Sequence, residues 1–513
     1  MKRIASILLL LGCSVTLWGQ DFQKIFEEFQ QSAQQQMQQF QEKTREEFYK
    51  TLADQWNQFH VNEAVPRPAK PKPTRKPVAP PDIKPEDVDV PVQAPEDEPL
   101  VLPELTFDPF VEEEIDVPDL DPLAVTNPHV DPIKKPEPSP AILVDLGGKK
   151  NTFAFYSMPV GMAPLTSLQG DRKPHLADIT EKQVAKFWRA LENSSKDTPS
   201  FASQVLPVLD RCRKEYDLND WTLYRLVVAL VGSQWDNSSE QAVVQVFLLN
   251  HLGLDARIGR VNDHLSLMFP AKQMVYACPF ITISGKKFFV MDEGKVPSVF
   301  TYAGKYSDKV EDVELTLVHS DRIFDITEPR IVKKNLPTLQ KEVALPVSQS
   351  RCDFYLDYPQ LPVEEYARCH VNEAFSSSLL KQLRFVHFIE DKGMAVSALM
   401  RCIQMDFNYA TDQEQFGYEK PFFLEEDFLY PKNDCEDRSI LLAFLVKHLL
   451  NLDIVLLDYP QHIATAVCFG DLDVPGAHLE YNGKKYVICD PTYIGADPGM
   501  VMPQYKDTPA KVL

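Results

Sequence analysis

"PKNDCEDRSILLAF", residues 431–444, sets one cysteine among acids directly ahead of an apolar run. Asn433-Asp434 precede Cys435, and Glu436-Asp437-Arg438 follow it. Leu441, Leu442, Phe444, Leu445 and Leu449 then recur at spacings of three and four. That pattern predicts a helix opening at Asp434-Cys435. Cys435 is then either a nucleophile in a first helical turn or a small residue at a cap.

Comparison of the chain with itself extends the reading. "GKKFFVMD" (285–292) matches "GKKYVICD" (483–490) at a shift of 198 residues. The same shift joins His264 to His462 and Asp255 to Asp453. Upstream, "FLLNHL" (247–252) falls on "FLVKHL" (444–449) at a shift of 197, so one residue is inserted between His448 and Asp453. Ser238, or Ser239 if the register slips by one, then lies on Cys435. The body is read as a tandem repeat, 141–345 and 346–513, of α+β class. Each copy runs helix, strand with a His, hairpin, and strand ending in Asp. Ser284-Gly285 and Asn482-Gly483 mark the hairpins.

A thiol at a helix start meets unpaired N–H groups and the positive end of the helix dipole, which stabilise a thiolate and receive an oxyanion. Three neighbouring carboxylates oppose ionisation, so a reactive Cys435 needs a cationic partner. His448 is thirteen residues along the same helix, about 20 Å away by the helical rise. His478 has Phe280 at its place in the first copy. His462 fits best: in "QHIATAVCF" (461–469) it shares a strand face with Ala464 and Ala466, which leave room beside it. Asp490, ending the strand after the hairpin, completes a nucleophile, base and orienter. A metal centre from Cys435, His462, Asp490, Cys468 and Cys489 is disfavoured, since no pair has close ligand spacing and Cys489 should point away from Asp490.

"DCEDRSILLAFLVKHLLNLD", "HIATAV" and "KKYVICDPTY" resemble the three core motifs of the transglutaminase-like superfamily, a papain-like cysteine fold, over residues 385–493. The resemblance implies Cys435 as nucleophile, His462 as base and Asp490 as orienter. It implies two tandem transglutaminase-like domains, with chemistry on amide bonds: a peptidase, an amidase or an acyl transferase, or else an inactive peptide-binding module. No metal and no cofactor is expected. The partner is a peptide or protein, cell-wall peptide among the options. The first copy keeps His264 and Asp292 but has Ser238 for the thiol and "DEGK" for "DPTY", so it reads as a degenerate site. A Ser-His-Asp triad is disfavoured there because an alcohol is much harder to deprotonate. Ser238→Ala is therefore expected to leave turnover nearly unchanged; a thousandfold loss in a steady-state assay would contradict this. The aromatic and acidic insert 409–431 should line the cleft. Tyr418, Phe422 and Tyr430 are its candidate substrate contacts, with ordinary packing the weightier expectation for any one of them.

Ahead of the body, Met1-Lys2-Arg3 and the apolar Ile4–Leu11 read as an export signal over residues 1–20. Cleavage near Gln20 is preferred to lipidation of Cys13, because Leu11 is large for its place before a lipobox cysteine. The protein is expected to be exported, to the periplasm or the exterior, and held at a membrane only if Cys13 is lipidated. Residues 21–60 read as one amphipathic helix, for packing or self-association. Residues 61–140 read as a Pro-rich disordered linker, extended and acting as a spacer. The net charge of -21 argues against a nucleic-acid partner. The cysteines beyond the signal have no CxxC pair, so a disulfide scaffold is not expected, though one or two bridges remain open.

Overall fold

The computed structural model describes residues 43–68, 84–93, 100–105, 107–110, 144–145, 151–155, 158–162, 165–292, 297–317 and 329–513. The signal region, Cys13, most of the 111–150 stretch and the "EGK" that follows Asp292 lie outside these. The chain is mixed helix and sheet, of α+β class. No helix among the described residues is long and apolar enough to cross a membrane.

An N-terminal arm comes first: a helix over 43–53 (α1), then strands Asn57–His60 (β1) and Val92–Gln93 (β2). The first copy has helix Ser238–His251 (α2) and strands Arg257–Val261 (β3), His264–Phe269 (β4), Phe280–Ile283 (β5), Lys286–Met291 (β6) and Ser298–Thr301 (β7). The second has helix Cys435–Leu445 (α3) and strands Asp453–Tyr459 (β8), His462–Cys468 (β9), His478–Tyr481 (β10), Lys484–Cys489 (β11) and Ala510–Val512 (β12).

Each copy builds a six-stranded sheet with the same order. The first is β1-β7-β3-β4-β6-β5 and the second is β2-β12-β8-β9-β11-β10. The outermost strand of each comes from the arm, antiparallel in the first sheet and parallel in the second. The hairpins turn where the sequence indicated. Ser284 and Gly285 sit at φ 52° and 82°, Asn482 and Gly483 at 50° and 73°, the left-handed pair that a two-residue hairpin requires. An ion pair repeats as well: Lys286 lies 3.7 Å from Asp255, and Lys484 lies 2.7 Å from Asp453.

The inserted residue has a physical form. In the first copy the helix ends at His251, with Gly253 left-handed. In the second, Val446–Leu450 widens into a π turn before the left-handed Asn451. A π turn absorbs one extra residue without displacing the elements on either side, so α3 and the strands after it keep their relation.

Two expectations about the arm are corrected. The helix read over 21–60 does not extend to 60: of its described part, 43–53 is helical, and Asn57–His60 pairs with Ser298–Thr301 instead. A free sheet edge offers those residues a full ladder, which overrides their helical spacing. Phe48, Tyr49, Leu52 and Trp56 are buried, with Phe48 stacked on Trp188 at 5.9 Å, so this apolar face is spent on packing against the first copy. The stretch read as a Pro-rich disordered linker over 61–140 is held to the body wherever it is described. Asn62 pairs with Phe280, Val92 and Gln93 pair with Ala510 and Lys511, and Leu102 packs against the hydrophobic core. Proline forbids a helix or a central strand, but not edge pairing or apolar docking.

The hairpin Arg330–Leu336 and Lys341–Val347 straddles the boundary expected at 345/346. It packs on second-copy elements: Thr338 N donates to Asp406 and Ala344 N to Gln382. The boundary between copies therefore falls ahead of residue 330.

Candidate active site

Helix α3 is central. Every residue from Cys435 to Leu445 is buried, so the helix sits between the sheet and the other helices. Its start is fixed by Asp437, whose carboxylate accepts from Asp434 N at 3.0 Å, one half of a capping box. Cys435 is the first helical residue, as Ser238 is in α2. This resolves the register: Ser238, not Ser239, lies at the cysteine position. Ser239 is buried, and its hydroxyl accepts from Leu265 N at 3.0 Å.

Sheet and helix meet beside the candidate residues. Ser439, one turn beyond Cys435, donates its hydroxyl to Ile463 O at 3.0 Å, and Ile463 follows His462. His462 Nε2 lies 2.8 Å from Asp490 Oδ2. A carboxylate only accepts, so Nε2 carries the proton of this bond, which in a neutral imidazole leaves Nδ1 its lone pair. The other oxygen of Asp490 accepts from Thr492 N at 2.8 Å and Tyr493 N at 3.3 Å. "DPTY" is thus a turn that pins one carboxylate oxygen and aims the other at the imidazole. Gln404 braces the turn by donating to Asp490 O and Ala496 O. The His462 ring lies parallel to Tyr505, 5.2 Å away at 10°. The first copy repeats the dyad, with His264 Nε2 2.5 Å from Asp292 Oδ2. Its setting differs: His264 and Ser238 reach solvent, whereas Cys435, His462 and Asp490 are 0%, 2% and 2% exposed. The hydrogen bond to Asp292 raises the His264 pKa above its ordinary value, against burial, which lowers it.

The thiol has a partner that the sequence reading did not single out. Cys435 Sγ donates to Glu436 Oε2 at 3.0 Å. Glu436 belongs to a buried acidic group with Asp412, Asp427, Asp434 and Asp437. Burial is the main cause of the displaced pKa values of the four aspartates. It holds Asp412, Asp427 and Asp434 well above the usual carboxylate range, each helped by neighbouring carboxylates, and pushes Asp437 up to about 7. Asp434, Cys435 and Glu436, and separately Asp412, Glu419 and Glu436, bring three possible ligand atoms within 4.8 Å of one another. That spacing alone does not call for a metal ion, since acidic groups gather this closely without one.

The raised acids give a pH dependence of stability with a definite sign. A carboxyl whose folded pKa exceeds its unfolded value stabilises the fold below the unfolded value, about 3.9. That stability is lost as pH rises through the folded value. The urea midpoint is therefore expected to fall between about pH 5 and pH 8, by ~1 kcal/mol or more in unfolding free energy. Asp437→Asn should flatten the slope; a midpoint that rises over this range would contradict the assignment.

The aromatic insert forms a box. Phe416, Phe422 and Tyr430 lie with their ring centroids within 5.8 Å of the Lys420 ammonium, which donates to Glu426 at 2.6 Å. The Tyr418 ring lies tilted against Phe416, 6.0 Å between centroids. Phe422 is fully buried, while Tyr418 and Tyr430 are half-buried. The rings pack around an internal cation, the packing role weighed above against substrate contact. His478 instead contacts Gly476 O and Asp87. His448 lies in the π turn, where burial pushes its pKa down to about 4. No disulfide joins the described cysteines.

Against this geometry, comparison with known proteins gives no match: no family model, no curated protein and no solved structure is similar to this chain.

Proposed function

We propose that this chain is an exported cysteine-nucleophile enzyme acting on amide bonds, built from two transglutaminase-like copies of which the first is degenerate. The observation that supports it best is the His462–Asp490 pair, 2.8 Å apart and held by the "DPTY" turn, on the strand against which the Cys435 helix packs. In this reading His462 Nδ1 takes the thiol proton as Cys435 Sγ attacks the substrate carbonyl. The N–H groups at the start of α3 receive the oxyanion. The imidazolium then gives its proton to the leaving amine, and a thioester remains on Cys435. Water completes a peptidase or amidase cycle; a lysine amine completes a cross-link. A peptide of cell-wall or protein origin, outside the cytoplasm, is the proposed substrate.

The burial of all three residues favours a second reading, a module that holds a peptide without cutting it. The test is turnover of a mixed panel of fluorogenic amides and cell-wall peptides by the full chain. Activity lost in Cys435→Ala and kept in Ser238→Ala supports the enzyme. A retained ligand with no thioester trapped on Cys435 by mass spectrometry supports the module.

A further inference from the structure

Tyr505 ends the short turn Pro503–Tyr505 ahead of β12. It is half-buried, yet it lies on a ring that is almost fully buried: the imidazole of His462, parallel to it within 10° at 5.2 Å between centroids. Near-parallel rings at this separation are offset-stacked. Tyr505 is itself held in place. Its ring lies 4.8 Å from that of Tyr459, and its hydroxyl donates to Pro460 O at 3.4 Å. Tyr459 and His462 face each other across the β8–β9 hairpin, with their rings 6.4 Å apart at 22°. The next residue, Lys506, pairs with Glu86 of the arm at 2.5 Å. Tyr505 thus caps a short pile of rings at the end of the hairpin that carries His462.

The first copy supplies a contrast. His264 begins its strand as His462 does and makes the same bond to its aspartate, but no aromatic ring lies against it among the described residues. Its side chain is 36% exposed, against 3% for His462. The bond to the aspartate alone therefore does not bury an imidazole. Nor does it fix the tilt of the ring. The second torsion of histidine is broad, and a carboxylate oxygen accepts over a wide range of directions. A flat ring laid against the imidazole removes that freedom, because tilting would drive one edge into it.

We propose that Tyr505 is a positioning residue for His462: its ring face fixes the tilt of the imidazole, and so the direction of Nδ1, and keeps water from it. The expected effect on turnover rests on the thiol-enzyme reading, in which Nδ1 takes the thiol proton. The contact itself does not rest on that reading.

Two readouts on the full chain test this. One is steady-state kinetics on the fluorogenic amides. The other is deuterium uptake at Cε1, the imidazole carbon between the two nitrogens, followed by peptide mass spectrometry. Tyr505→Ala is expected to lower kcat about tenfold or more with KM nearly unchanged. It should also speed uptake at His462 about threefold or more, while His251 and His264 keep their rates. Tyr505→Phe keeps the ring face and should match wild type in both readouts. If Tyr505→Ala does not melt cooperatively, Tyr505→Leu takes its place, since leucine fills the space without a flat face, and the same changes are expected. A loss in Tyr505→Phe as large as in those variants overturns the proposal, because the hydroxyl would then be the acting group. So does uptake at His462 that stays unchanged without the ring, or that rises equally at all three histidines. An active wild type whose kcat survives loss of the ring overturns it too. Failure of the thiol reading appears separately, as no turnover in wild type while the ring still governs uptake at His462.

Discussion

Replacing Arg438 by methionine is expected to lower the unfolding free energy by about 3–5 kcal/mol, the cost of removing one partner from a buried ionic network. Arg438 is fully buried. Its Nε donates to Asn433 Oδ1 at 2.9 Å, its Nη2 to Phe407 O at 2.5 Å, and its guanidinium lies 5.3 Å from the Tyr409 ring. Burial lowers its pKa to about 10, with Tyr409, Asp427, Asp434 and Asp437 pulling the other way, so it stays charged at neutral pH. Methionine fills a similar volume but leaves those acids without their central cation and two oxygens without donors. A urea titration near pH 7 checks this. A loss below about 1 kcal/mol would mean that the acids are neutral without Arg438, and that the network is not held by charge.

The second large effect is on turnover. Asp490→Asn is expected to lower kcat by about 10³–10⁴-fold with little loss of stability, the scale seen when a triad's orienting acid is replaced by its amide. Asp490 uses one oxygen on Thr492 N and Tyr493 N and the other on His462 Nε2. Asparagine has one oxygen, and the two backbone amides claim it. Its NH2 then faces Nε2, which must accept, so the imidazole proton moves to Nδ1. That tautomer cannot take a proton from the thiol. Steady-state kinetics with a parallel melting curve checks this. A variant within tenfold of wild type would show that the pair does not set the tautomer.

What was legible in the sequence was local or periodic. The 198-residue repeat, the two left-handed hairpin turns and the start of α3 follow from spacing and turn chemistry, and the structure has each of them. The His462–Asp490 pairing was legible from the place of each residue, a His on one strand and an Asp ending the strand after the hairpin. The arm was not legible. Its prolines exclude regular structure of its own, but the pairing of Val92–Gln93 with Ala510–Lys511 and the burial of Arg67 depend on surfaces hundreds of residues away. The burial of the acids around Cys435 was not legible either. Asp434, Glu436 and Asp437 mark a helix start in the sequence, and only the insert 409–431 folding over them makes the group a buried one. Phe422 N donating to Asp437 Oδ1 at 2.8 Å is part of that cover. Glu436 carried no signal of its own beyond standing beside the cysteine.

The central claim is that Cys435 and His462 act as a pair. It is tested most directly by the rate at which iodoacetamide alkylates Cys435, followed by peptide mass spectrometry against pH, in wild type and His462→Ala. The account predicts labelling that persists well below the ordinary thiol pKa of about 8.5 and is lost in the variant. Labelling that titrates like an ordinary thiol in both proteins, or that waits until the chain is unfolded, would contradict it.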